Sequence, residues 1–282
     1  MKTRVPALFT AGVLALSLAA CGSEEAPEPT EEATEAAAEE EKGGSIFDLL
    51  SSMDDSTREL TNYTLFVEVT SEDPDLGEFS AEMTFEAMDD PKAVQTTVFM
   101  PDMADMILEM TGVTAEDLGV TAEDLGTTII ITPAEGEPLL SNHTGLEEAD
   151  TPWVRGTPEA QDATAEEMFD LEEFPGLVAA FAEIEEMEEV GSEKVNGADT
   201  TMVKGSLTQD QVDAMDAEAK LAVLEFIGGD IIGTLDVAIW ISEDGFPLKL
   251  DMSDDDFEMN LEFSEIGTTS FEIPAEDQIT DL

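Results

Sequence analysis

From Phe79 to Ala87 the chain alternates without a slip. Phe79, Ala81, Met83, Phe85 and Ala87 fall on one side, and Ser80, Glu82, Thr84 and Glu86 on the other. A period of two sends successive side chains to opposite faces of a strand, so this stretch reads as a strand with one dry face and one wet face. The same pattern recurs at Tyr63, Leu65, Val67 and Val69, and again at Val94, Thr96, Val98 and Met100 after a Pro-Lys turn at Pro91. It returns at Thr127 to Thr132, in a short piece around Trp153 to Arg155, and at Leu235, Val237, Ile239 and Ile241. Leu248, Leu250 and Met252 follow a turn at Glu243-Asp244-Gly245, and Phe257, Met259, Leu261 and Phe263 follow Asp254-Asp255-Asp256. Together these segments predict a meander of antiparallel strands, acidic outside and apolar inside.

Helical spacing interrupts the strands. Ile46, Phe47, Leu49, Leu50 and Met53 start an amphipathic helix before the first strand. Thr164 and Glu167 resemble a capping box for a helix through Met168, Phe169 and Leu171. Pro175 restarts it, with Leu177, Val178, Phe181, Ile184 and Met187 as its apolar stripe. Thr208 and Gln211 cap another, running through Val212, Met215, Leu221, Leu224 and Ile227 to Gly228-Gly229. Between the last two, Lys194 to Leu207 reads as a hairpin turning at Asn196-Gly197. The fold class that follows is α+β: a curved antiparallel sheet, or half-barrel, with helices covering its concave face. Gly112 to Leu118 repeats at once as Gly119 to Leu125, which reads as a duplication inside a surface loop.

The first residues read as a targeting device. Lys2 and Arg4 precede an apolar run from Ala7 to Ala20, too short for a permanent span of about 20 apolar residues. Leu18-Ala19-Ala20-Cys21 looks like a bacterial lipobox, and Cys21 is the only cysteine. Cys21 is therefore expected to carry the lipid anchor, with residues 1–20 as signal peptide and the body held at the outer face of the cell membrane. Residues 21–44, nearly all Glu, Ala, Pro, Thr, Ser and Gly, read as a disordered acidic tether. Residues 45–282 remain for a single domain.

Acidic residues number 68 against 10 basic ones. That balance excludes nucleic acid as a partner, because phosphate contacts need clustered Lys and Arg. The acids are spread along the whole chain, the pattern of a hydrated coat rather than of a metal site, and Asp254-Asp255-Asp256 lacks the spacing of a calcium loop. No cofactor or metal is expected. Nor is catalysis: the one histidine, His143, lies in a polar loop, Cys21 is used by the anchor, and no nucleophile or phosphate-loop motif occurs.

Two stretches, Val195-Asn196-Gly197-Ala198-Asp199-Thr200-Thr201-Met202-Val203-Lys204-Gly205-Ser206-Leu207 and Val237 to Lys249 with Trp240 and Asp244-Gly245-Phe246-Pro247, resemble motifs of the LppX/LprG-type lipoproteins of actinobacteria, as does Phe263 to Pro274. The resemblance extends over residues 174 to 274. It implies a LolA/LolB-like half-barrel closed by helices around an apolar pocket, binding an acylated lipid or glycolipid and moving it across the envelope. On that reading the chain is a monomer that meets an envelope transporter. Fourteen Met and fourteen Phe suit an adaptable apolar interior. The expected lining is Leu65, Val67, Met83, Phe85, Val98 and Met100 from the sheet, with Phe181, Ile184 and Leu224 from the helices. The alternative is an envelope interaction or sensor module of the same fold, with a collapsed core and no lipid cargo.

Overall fold

The computed structural model describes residues 60–73, 77–112, 114–147, 149–156, 187–227 and 229–282, and between 156 and 187 residues 174, 177, 180, 181 and 184. The signal peptide, Cys21, the tether, the helix expected from Ile46 and the capping box at Thr164 lie outside the described residues.

Among the described residues, twelve strands form one open, curved sheet. They are β1 (Tyr63–Asp73), β2 (Gly77–Asp89), β3 (Lys92–Phe99), β4 (Thr127–Pro133), β5 (Leu139–Ser141), β6 (Trp153–Arg155), β7 (Glu188–Val195), β8 (Ala198–Thr208), β9 (Thr234–Ser242), β10 (Pro247–Ser253), β11 (Phe257–Ser264) and β12 (Ile279–Asp281). Their order across the sheet is β12-β6-β5-β4-β3-β2-β1-β11-β10-β9-β8-β7. Neighbours are antiparallel except β12 and β6, which run parallel. Five helices carry labels: α1 (Pro101–Thr111), α2 (Ala115–Leu118), α3 (Ala122–Gly126), α4 (Gln209–Ala214) and α5 (Ala217–Ile227).

The alternation in the sequence becomes rows of facing side chains. One row crosses seven strands: Val98, Met83, Val67, Leu261, Leu250, Ile239 and Val203. Directly opposed residues share a face, so this row is a continuous apolar stripe along the inner side. Phe174, Leu177, Ala180 and Phe181, all helical, pack with Ile184 into the same core as the inner residues of β1, β2 and β8–β11. Phe263 lies near the centre of that core, its ring 5.1 Å from Phe246, 5.8 Å from Tyr63 and 5.9 Å from Phe174, each pair edge-on.

The β7–β8 hairpin turns where the sequence places it, with positive φ at Asn196 (51°) and Gly197 (85°). This is the two-residue turn whose twist matches that of the flanking strands. Gly205 sits in the inner row of β8 beside Val237, and the side chain of Met187 lies directly over it.

Four features differ from the sequence reading. The single helix expected after Thr208 is two, α4 and α5. Met215 takes an extended conformation (φ −64°, ψ 164°) and the Asp216 carboxylate accepts the Ala219 N–H, so the chain stops and restarts. The duplicated loop is helical: Thr114–Asp117 and Thr121–Asp124 form two identical capping boxes, starting α2 and α3. The third strand stops at Phe99, and Met100 becomes the N-cap of α1, with Pro101 at its first position. Finally, β5 and β12 were not expected.

The closing segment is attached to the outer face at two separated points. Thr64, which alternates with the buried Tyr63 and Leu65, shares a hydrogen bond with Thr269 (3.0 Å). At the far side of the sheet Arg155 pairs with Glu276 (3.0 Å) and Asp281 (3.3 Å). Residues 265–278 therefore cross the outer face from β1 to β6. Ile131 and Leu139, which point outward on strands between those two attachments, are buried.

Candidate functional site

The inner residues of β1 run from Leu65 through Val67 and Val69 to Ser71, from the core to one end of the sheet. There Ser71 faces Phe79 of β2 on one side and Phe257 of β11 on the other. The two rings join Val69, Ile227 at the end of α5, and Ile232 to line a groove of about 410 Å³. Phe79 is 43% exposed and Ile232 54%, so large apolar groups meet water here. Scattered single apolar residues on a surface are ordinary; a concave group continuous with the core is not.

The rim is acidic, with Glu72, Asp230, Asp254 and Asp256. It is also tied down. The Asp254 carboxylate accepts the Asp256 N–H (2.9 Å) and the Ile232 N–H (3.2 Å), while the Glu72 N–H donates to the Asp256 carbonyl (2.8 Å). Asp254 thus holds the chain after α5 against the β10–β11 turn.

Of the expected lining residues, Leu65, Val67, Phe85, Phe181 and Ile184 are buried together in the core, with Met83 and Leu224 half-buried against it. Val98 is buried and extends the Val67–Met83 row, and Met100 is half-buried at the start of α1. None of these nine borders the groove. Its walls come from positions just beyond them on the same strands, Val69 and Ser71 after Val67, and Phe79 before Met83. Two inner hydroxyls, those of Thr96 and Thr132, are buried without a hydrogen-bond partner among the described residues.

A second groove, of about 490 Å³, opens on the outer face around Glu188, Lys204, Asp236, Trp240 and Asp251. It holds cations beside its carboxylates, and one of those carboxylates is paired. The Lys249 ammonium sits 4.3 Å above the Trp240 ring and 2.9 Å from Asp251, and the Trp240 indole N–H donates to Glu193 (3.0 Å). Elsewhere, exposed His143 sits 3.1 Å from the Ser141 hydroxyl and 3.0 Å from the Asp124 carbonyl. Among the described residues no group of three or more His, Cys, Asp or Glu is placed to hold a metal ion. No helix among them is long and apolar enough to cross a membrane.

No protein-family model matches the chain, and no curated protein matches it in sequence. Among solved structures it is similar to LprF from Mycobacterium bovis, at 14% identity and a TM-score of 0.44, over 83% of this chain and 98% of LprF. It is also similar to the Mycobacterium tuberculosis lipoprotein LppX, at 13% identity and a TM-score of 0.42, over 81% of this chain and 98% of LppX.

Proposed function

We propose that the chain is a lipoprotein of the outer face of the cell membrane that takes up the acyl part of a lipid or glycolipid and carries it across the envelope. The observation that carries this reading is the groove at the end of the inner face, where exposed Phe79 and Ile232 continue into the apolar rows of the core. An acyl chain entering there gains about 0.8 kcal/mol for each methylene buried. The route inward follows Val69 to Val67 and Leu65, and brings the chain to Met83, Phe85, Val98, Met100, Phe181, Ile184 and Leu224. Half-buried Met83 has the flexibility to move aside. Cys21 supplies the anchor, a monomer delivers the cargo to an envelope transporter, and the resemblance of residues 195–207 and 237–249 to lipid-binding lipoproteins favours the same reading. No enzymatic role is assigned.

The competing reading, a tethered interaction module with a collapsed core, draws on the complete burial of Leu65, Val67 and Phe181. The chain from Gly22 onward, which lacks the anchor cysteine, separates the two. Native mass spectrometry and organic extraction should find a co-purifying acyl lipid, and a fluorescent acyl probe should bind with an affinity that falls at least tenfold in Phe79→Asp. A clean protein mass, an empty extract and no probe uptake would leave the interaction module standing.

A further inference from the structure

Resting on that reading, we infer that the groove selects acyl lipids whose headgroup presents an ammonium and turns away those of net negative charge. The argument begins with how such a lipid has to sit. The apolar wall of the groove is Val69, Phe79, Ile227 and Phe257, and it leads into the core, so the acyl part goes inward. The headgroup is left at the rim, beside Glu72, Asp230, Asp254 and Asp256.

No Lys, Arg or His lines this groove among the described residues. The described ion pairs fall on Arg155, Lys194, Lys220 and Lys249, and none involves a rim carboxylate. The outer-face groove is the contrast: there Lys249 already answers Asp251. Among the described residues no cation offsets the rim carboxylates. All of them border one groove of about 410 Å³, comparable in width to the screening length of about 8 Å at physiological salt, so a headgroup there feels several at once. An ammonium is drawn to that set, and a phosphate without an ammonium is repelled by it. Asp254 is partly occupied with the Ile232 and Asp256 N–H groups, which leaves Glu72, Asp230 and Asp256 as the bordering acidic residues whose carboxylates have no described partner.

The test uses the chain from Gly22 onward and four fluorescent lipids with identical acyl chains, in the presence of a chelator. Their headgroups are trimethylammonium, phosphocholine, the free hydroxyl of a diacylglycerol, and phosphoglycerol. At about 0.05 M salt the trimethylammonium lipid should bind at least tenfold more tightly than the phosphoglycerol lipid and more tightly than the diacylglycerol. At about 1 M salt, where the screening length is about 3 Å, the gap should close to twofold or less. Glu72→Gln with Asp230→Asn, both on exposed side chains, should narrow the low-salt gap at least threefold. Phosphocholine binding that matches trimethylammonium assigns the ammonium to a zwitterionic headgroup; weaker binding assigns it to a cationic one. Equal binding of all four lipids, or diacylglycerol or phosphoglycerol binding as tightly as trimethylammonium, overturns the inference and leaves lipid carriage intact. Uptake of none of the four overturns both.

Discussion

Tyr63 is the chain's single tyrosine, so its ionisation can be followed without interference from another phenol. It is 9% exposed, on the inner face of β1, with its ring edge-on to Phe263. Burial pushes its phenol from the ordinary value near 10 up to about 12, because apolar surroundings disfavour the phenolate. Below about pH 10 both the folded and the unfolded chain hold the proton, and the stability associated with it is fully present. Between about pH 10 and about pH 12 the unfolded chain releases the proton while the folded chain keeps it. Stability then falls by about 1.4 kcal/mol per pH unit, or about 2–3 kcal/mol by pH 12. Ultraviolet difference absorbance should show a phenolate midpoint near pH 12 in the folded protein, against one near 10 in urea. Urea unfolding should show the alkaline loss in the wild type, and Tyr63→Phe should lack that part of it. A folded-state midpoint near 10, with circular dichroism unchanged, would mean that water reaches the ring and that this end of the core is open.

Other substitutions test the packing from different directions. Phe263→Leu removes three edge-on ring pairs, each contributing about 0.5–1.5 kcal/mol beyond simple burial, and should cost about 2–4 kcal/mol in urea unfolding; a loss below about 1 kcal/mol would show that the rings are not coupled. A Cβ on Gly205 would land on Met187 Sδ, with Met187 Cγ at 3.2 Å, so Gly205→Ala should destabilise by about 1–3 kcal/mol. In a double-mutant cycle with Met187→Ala the two losses should be less than additive; strict additivity would refute the contact. Thr96→Val keeps the side chain's shape and removes a buried hydroxyl without a partner, so it should raise stability by about 1 kcal/mol, and a loss of stability would reveal a partner for that hydroxyl.

Period-two patterning made most of the sheet legible, because burial of one face leaves its mark on every second residue. The strands at Tyr63, Phe79, Leu235, Leu248 and Phe257 were readable for that reason, and the Asn196-Gly197 turn because so few residue pairs accept two positive φ values. The short strands escaped: Leu139–Ser141 and Ile279–Asp281 are too brief to show a period. The α4–α5 break escaped because Val212, Met215 and Leu221 keep helical spacing across it, and only the Asp216 side chain betrays the stop. Helix α1 was hidden by Met100, which continues the strand alternation one step past Phe99. The groove was legible only in part. Val69, Phe79 and Phe257 were visible as inward residues, yet their meeting around Ser71 depends on a register between strands nearly 190 residues apart, which no local pattern carries.

That register has a kinetic side. Strand β1 lies between β2, its neighbour in sequence, and β11, to which it is joined from Thr64↔Ser264 to Ser71↔Phe257. The block β1 to β6 and the block β7 to β11 can each zip through nearby partners. The seam between them waits for the last strands, and the crossing of residues 265–278 waits longer still. Long loops of this kind place refolding on the slower, millisecond-to-second side of domain folding. If the chain is threaded through a membrane amino end first, as its first twenty residues predict, the middle of the sheet has no second half until almost the whole polypeptide has passed. The topology itself then delays closure of the sheet until its last strands arrive.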